Sequence, residues 1–344
     1  MVNSRSKQYN KKWPNENNDY SAPLPICSPG MLQNDFGIPV EPEDNPADYP
    51  LRITWNGIIV DDEGNPEDII TRIREAMIVV WKDNSTHVEQ DACEIIGVKS
   101  LREYFNKPAG FFSDHLKQYS KSRRKAPIYW QLSTPSASYS VWLYYHRFTK
   151  DTFYKVLNDY VIPKLQHEER KLTTLQQEYG PNATAKQRKE ISTQETFVEE
   201  LQTFKQEVTR IAPLWNPNLN DGVIINFAPL WRLVPQLKPW QKECKKVWDK
   251  LVKGDYDWAH LSMHLWPERV VPKCLKDRSL AIAHDLEENL WYEADKGKWY
   301  ARDVSGSEID KLIRERTSAS VKAALDDLLS APVPASTRRK KKKK

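Results

Sequence analysis

Apolar residues recur along this chain with two periods, and the switch between them predicts its elements. Leu51 to Val60 (L-R-I-T-W-N-G-I-I-V) is rich in β-formers and reads as two short strands, or one strand with a turn at Asn56-Gly57. Ile69, Ile70, Ile73, Met77, Val80 and Trp81 then share one helical face over 68–81, with Pro66 at a first-turn position. A second helix is predicted over 88–96, stopping at Gly97, and Ser100 is placed to cap a short one over 101–105. Ile128 to Leu132 and Tyr139 to Tyr145 are two β-rich runs joined by the polar S-T-P-S-A-S, a hairpin pattern.

From Thr149 the period turns helical. Val161, Leu165, Glu168, Leu172, Leu175 and Tyr179 step by four and three. After Gly180-Pro181-Asn182 the same steps resume at Phe197, Leu201, Phe204, Val208 and Ile211. This predicts two helices folded back as an antiparallel hairpin, either a partner-binding arm or an ordinary core pair. Residues 214–237 read as loop with one apolar run, G-V-I-I-N-F-A-P-L. Helices follow over 240–251 and 258–266, short ones over 269–288, and a last one over 320–329.

The expected fold is therefore mainly α with a small β component. Residues 1–50, rich in Pro, Asn, Asp and Ser, are expected to form a partly disordered arm. An α+β unit with the aromatic β-hairpin spans 51–155 and the helical hairpin 156–212. A mostly helical C-terminal region covers 213–330, and 331–344 is a disordered basic tail.

Composition adds limits. Eleven glycines in 344 residues argue against a glycine-turn-rich doubly wound domain. No apolar run approaches membrane-spanning length, and no apolar stretch follows the basic start, so a secretory signal is not expected. Cys27, Cys93, Cys244 and Cys274 are far apart in sequence, as expected of reduced cytoplasmic thiols. Net charge is +5, but Arg338 to Lys344 carry +7, which leaves −2 for the rest. The body is near neutral, with charge concentrated locally.

One concentration lies within 111–160, where 13 of 50 residues are Phe, Tyr or Trp against 37 of 344 overall. Lys117, Lys121, Arg123, Arg124 and Lys125 precede Tyr129 and Trp130, and Tyr144, Tyr145 and Arg147 follow. Cations neutralise phosphates and release counterions, while aromatic faces stack on bases. The pattern fits a nucleic-acid surface. Periodicity alone favours a strand-rich core with a solvated basic loop at its edge, since charge runs usually just solvate a face. Strand alternation requires about half of the aromatics to face inward in either case.

Tests for catalytic chemistry give little. His260 and His264 lie four apart on a predicted helix, and Cys244 and Cys274 are not far off in sequence, but the metalloprotease glutamate is absent. There is no phosphate-cradling G-x-x-x-x-G-K-[ST] loop, no G-x-G-x-x-G after a strand and no G-x-S-x-G elbow.

Four segments, in order, carry a resemblance. They are N-G-I-I-V-D-D-E-G-N-P-E-D-I-I (56–70), S-K-S-R-R-K-A-P-I-Y-W-Q-L-S-T with Y-S-V-W-L-Y-Y-H-R-F-T-K-D-T-F-Y (120–154), L-N-D-G-V-I-I-N-F-A-P-L-W-R-L (219–233), and D-Y-D-W-A-H-L-S-M-H-L-W-P-E-R-V with K-D-R-S-L-A-I-A-H (255–284). Together they resemble the C-terminal region of large adenine-specific DNA methyltransferases of bacterial phage-defence and restriction–modification systems, the PglX-like enzymes of BREX. The resemblance covers roughly 50–290.

Intact members of that family move a methyl group from S-adenosylmethionine to the adenine amino group, using an [N/D]-P-P-[Y/F/W] motif on a flipped base. Here Asn45-Pro46, Asn65-Pro66 and Asn216-Pro217 are not followed by Pro and an aromatic, and a glycine-rich cofactor loop is missing. The resemblance implies the recognition and helical portion, with no cofactor in this chain and S-adenosylmethionine on a partner catalytic chain. Expected partners are double-stranded DNA and that methyltransferase chain or other defence-system proteins, with no membrane. Lys121, Arg123, Arg124 and Lys125 are the expected phosphate contacts, with Lys117 and Arg147 beside them. Asn220 and Asp221 are candidate polar contacts at a turn that explains them equally well. A scaffold role in a defence complex and a non-functional gene remnant are the alternatives.

Overall fold

Asp68 sets the geometry of the first described segment. Its carboxylate caps the helix α1 (Ile69–Trp81) by accepting from Thr71 N at 3.0 Å, and also accepts from Asp62 N at 2.9 Å. The computed structural model describes residues 56–65, 67–107, 109–119, 127–294 and 297–332. Pro66, the arm over 1–50 and the basic tail from 333 onward lie outside the described residues. The fold is mainly α with a small antiparallel β component. The chain divides into two units, one drawn from Met1–Gln118 with Trp142–Arg147, the other from Tyr119–Val141 with Phe148–Lys344.

The first unit holds strand β1 (Ile58–Asp61), α1, α2 (Ser85–Ile96), α3 (Leu101–Asn106) and α4 (Phe111–Tyr119). Gly97 closes α2 in the left-handed conformation and Ser100 accepts from Glu103 N to cap α3, both as the sequence indicates. The helix α4 was not legible as one, because its F-F-S-D-H-L-K-Q-Y looks like part of the aromatic β segment. The chain also contributes Trp142, Leu143 and Tyr145 to the core of this unit, with Ile58, Val60, Ile70, Phe105 and Phe112. Gly57 has φ +75° and its carbonyl accepts from Tyr144 N at 2.8 Å. A Cβ on Gly57 would come within 2.5 Å of Arg147 Cβ, so close approach and backbone angle both require glycine there.

The second unit starts with β2 (Tyr129–Ser133), which turns through 134–139 into the first two residues of β3 (Ser140–Tyr144); β3 belongs to the first unit from Trp142 on. Thr134 N donates to Tyr139 O at 3.0 Å across the turn. After α5 (Thr152–Lys155) and a π turn over Val156–Val161, the chain runs into α6 (Ile162–Tyr179) and back along α7 (Ala185–Ile211). Thr184 and Gln187 form a capping box at the start of α7. The pair is antiparallel, with Gln194 Nε2 donating to Glu168 Oε2 at 2.7 Å and Tyr179 OH to Glu190 at 3.0 Å. Glu168, in the seam predicted from the sequence, is buried but neutralised by Lys164 at 2.7 Å. Leu201, Phe204, Val208 and Ile211 fill the seam towards the other end.

Next come α8 (Val223–Phe227) and α9 (Lys238–Lys253), then α10 (His260–Leu265), α11 (Pro267–Cys274), α12 (Arg278–Ala283) and α13 (Glu287–Leu290). The stretch expected to be loop over 214–237 is instead largely short α and 3-10 helix, because apolar residues there are too dense to stay in solvent. A two-stranded antiparallel sheet, β4 (Trp291–Ala294) with β5 (Lys298–Ala301), and helix α14 (Gly306–Arg316) follow. Neither was anticipated, although S-G-S-E at 305–308 is a capping box and forms one. Val270, Val271, Cys274, Ala281, Leu286 and Leu290 make a core against which Ile309, Leu312 and Ile313 pack. The last helix, α15 (Ala319–Ser330), buries Val321, Leu325 and Leu328.

Candidate nucleic-acid interface

Helix α9 separates its chemistry by face. Cys244, Val247, Trp248 and Leu251 are buried on one side. Lys238, Lys242, Lys246 and Lys250 step by four and Lys253 by three more, so their Cβ atoms share the opposite side. Lys238, Lys242, Lys245, Lys246 and Lys253 are exposed. Lys245 pairs with Asp249 at 2.7 Å and lies over the Trp231 ring. Among the described residues no carboxylate pairs with Lys238, Lys242, Lys246, Lys250 or Lys253. Six lysines against two carboxylates in one sixteen-residue helix stand out in a body whose charge before the tail is −2. Such a row of unpaired ammonium groups attracts anions such as phosphates and repels other cations.

The helix ends at Gly254 (φ +89°), and a loop rich in aromatics follows. Asp257 is buried, and its carboxylate accepts from Arg269 Nη2 at 2.8 Å and Lys273 Nζ at 2.5 Å. The Arg269 guanidinium lies 4.5 Å from the Trp266 ring centroid. His284 Nε2 donates to the Asp257 carbonyl at 2.6 Å, and burial pushes the His284 pKa down. Asp221, also buried, accepts from His260 N and Leu261 N at 3.0 Å each and bonds His260 Nδ1 at 2.8 Å. The His260 and His284 rings are 6.0 Å apart. Two of the four resemblance segments, 219–233 and 255–284, thus meet through the buried Asp221 carboxylate, while Asp257 ties the second segment together internally.

The residues singled out in the sequence divide as follows. Lys121, Arg123, Arg124 and Lys125 lie outside the described residues. In the first unit, Lys117 is exposed and paired with Asp114 at 2.8 Å, Tyr144 and Arg147 are half-buried, and Tyr145 is buried. In the second unit, Tyr129 is half-buried and Trp130 is fully buried, donating from its indole nitrogen to Pro127 O at 3.0 Å. Trp130 and Tyr145 are core residues, with no ring face free for a base. Asn220 is exposed. Asp221 is a buried helix cap rather than a surface polar contact, because its oxygens are engaged by α10.

The α9 lysines were missed. Their signal was present as K-x-x-x-K-x-x-K-K-x-x-x-K-x-x-K from Lys238, but the helix was read for its apolar side alone.

Among the described residues no group of three or more His, Cys, Asp or Glu is placed to hold a metal ion. His260 is engaged by Asp221, and burial pushes the Cys244 thiol up to about 12 and the Cys274 thiol up to about 11, keeping both protonated. The strand-to-helix turn between β1 and α1 has one glycine, Gly64, and its buried Asp61 and Asp68 are both taken by Arg102. It does not fit the glycine-rich cradle S-adenosylmethionine requires. Among the described residues no helix is long and apolar enough to cross a membrane.

No family model matches the sequence. The chain is 24% identical over 216 residues to the adenine-specific methyltransferase BrxX of Escherichia coli O9:H4 (strain HS), covering 57% of this chain and 17% of that protein. It is 25% identical over 186 residues to the adenine-specific methyltransferase PglX of Lacticaseibacillus casei (strain Zhang), covering 50% and 15%. The chain thus spans about a sixth of the length of these curated relatives, and its relationship to them is PglX-like at low identity.

Proposed function

We propose that this chain is a DNA-binding, target-recognition portion of an adenine-specific DNA methylation system in bacterial phage defence. It acts with a catalytic chain that supplies the S-adenosylmethionine site. The observation that carries this reading is the unpaired lysine row of α9, which leads into 255–284, one of the segments that carry the resemblance. The lysines grip phosphates, and the loops beyond the helix end stand where bases would be met. The reading is tested by duplex-DNA binding across a salt series, comparing the chain with Lys242→Gln/Lys246→Gln/Lys253→Gln. If each lysine meets one phosphate, the triple variant should lower the slope of log K against log salt by roughly 2 to 3. An unchanged slope and affinity would remove α9 from the interface.

A second reading, a scaffold in a defence complex, is favoured by one feature of the first unit. Ile78, Val80 and Trp81 on α1 and Ile95 and Ile96 on α2 are exposed large apolar side chains, the composition of a protein-docking face. Ile95→Glu, tested for co-purification with the catalytic chain, separates the two readings. Loss of the complex in a chain that shows no duplex-DNA binding supports the scaffold, whereas loss with DNA binding intact leaves the first reading in place.

A further inference from the structure

The loop between α9 and α10 presents one large aromatic ring from a fixed mount. Trp258 is 47% exposed, while its neighbours Asp257 and Ala259 are buried. Asp257 is held on both ends, its carboxylate by Arg269 and Lys273 and its carbonyl by His284. Ala259 N donates to Tyr256 O at 3.0 Å, which closes the turn around Trp258. Tyr256 meets the indole edge-on, 6.2 Å between centroids and 84° between planes. The Lys250 ammonium sits over the Tyr256 ring at 5.4 Å, so the lysine row of α9 runs directly into this aromatic pair. Lys253, the last residue of α9, is exposed, and the Lys273 ammonium that holds Asp257 at 2.5 Å is 3.2 Å from where a Cβ on Gly254 would stand.

We infer that Trp258 is a stacking platform for a nucleobase that has left its duplex, with the strand's phosphates carried by Lys250 and Lys253. The ligand class is single-stranded or locally unpaired DNA. The inference rests on the DNA-binding reading and deepens it. A tryptophan anchoring a protein interface is surrounded by residues depleted in Lys, because desolvating an ammonium is costly. Trp258 has lysines on its approaches, and nucleic acid is the partner that supplies anions and a flat π face together. The rigid mount matters because a ring already held in place loses little entropy when a base lands on it.

The test measures binding of the full chain to a mixed-sequence single strand, to the same-length perfect duplex, and to that duplex with one central unpaired base. Trp258→Ala should weaken the single strand and the unpaired-base duplex by roughly tenfold, as the loss of one stacked base. The perfect duplex should change less than about twofold and the salt slope should stay put, since no charge is removed. Trp258→Phe should recover most of the affinity. Trp258→Leu, apolar but not aromatic, should bind like the alanine variant, which keeps the test valid if alanine lowers the unfolding midpoint. Single-strand affinity unchanged by Trp258→Ala, or an equal loss on all three DNAs, overturns the inference and leaves the DNA-binding reading standing. Absence of binding to any of the three DNAs by the unaltered chain overturns both.

Discussion

Trp130 lies flat on Phe227, with ring centroids 4.0 Å apart and planes 13° from parallel. The contact ties β2 to α8 inside the second unit, and Trp240 closes the cluster edge-on at 5.9 Å. A fully buried ring stacked on another ring is structural. Trp130→Ala should therefore cost about 3 to 5 kcal/mol of stability through lost contacts and a cavity. Urea unfolding, read as a fall in the midpoint, measures this. DNA affinity per folded molecule should be unchanged, and a loss of affinity without loss of stability would return Trp130 to the interface.

The same pair shows what was legible in the sequence and what was not. The β-rich runs at Tyr129 and Tyr139, the cap at Ser100-Glu103, and the seam of α6 and α7 follow from local patterns. Local patterns decide elements, and these elements formed. Which face of a strand is buried depends on distant partners, and Phe227 is 97 positions from Trp130. So Tyr129 and Trp130 read alike in sequence, yet one is half-buried and the other buried. Asp221 misled for a related reason. A turn aspartate looks like a surface group until α10, some forty residues later, supplies three donors to it. The α9 lysines were legible, since helix spacing alone places them on one face.

Removal of the Asp221 carboxylate strips α10 of its cap and leaves buried N–H groups of His260 and Leu261 without their acceptor. Asp221→Ala should cost about 1 to 3 kcal/mol, and Asp221→Asn less, because one amide oxygen still accepts. Thermal unfolding of the two variants gives the order. Equal losses would mean that the carboxylate charge, not acceptor geometry, matters.

Arg232 links three elements. Its guanidinium donates to Leu328 O at 3.1 Å and Ala331 O at 3.0 Å at the end of α15, and lies 3.5 Å from Glu207 of α7. Both side chains are nearly buried. Arg210 also holds Glu207, at 2.9 Å, so the carboxylate keeps a partner if Arg232 is lost. Arg232→Ala should still cost about 3 kcal/mol, at the lower end for a broken buried pair. Hydrogen exchange over Ala319–Ser330 should accelerate before the rest of the unit. Uniform acceleration would show that α15 does not depend on this arginine.

Buried histidines give the fold a pH dependence with a definite sign. Burial pushes His115, His264 and His284 below the usual value of 6.5. The unfolded chain then binds protons that the folded chain refuses. Their stabilising contribution is complete above about pH 6.5 and is lost as pH falls from there through the depressed folded values. The unfolding midpoint should fall on acidification across that window. The slope should be shallower in His284→Asn, which keeps a side-chain donor towards the Asp257 carbonyl but cannot charge. An identical slope in that variant would place the proton uptake elsewhere.

The two concentrations of positive charge should separate in a salt series. Either the seven-residue run Arg338 to Lys344 or the α9 row would release counterions on meeting DNA, and a helix holds the α9 row at fixed spacing. Truncation before Arg338 should lower affinity for every DNA alike and reduce the salt slope, because a chain of lysines reads charge and nothing else. Binding that survives truncation should then be sensitive to Lys242→Gln/Lys246→Gln/Lys253→Gln, with a further fall in slope of roughly 2 to 3. Neutralising Arg123, Arg124 and Lys125 in the truncated chain measures the third cluster on the same scale. If truncation alone abolishes binding, the tail is a non-specific tether, and the folded body has to be understood through the apolar faces of α1 and α2 instead.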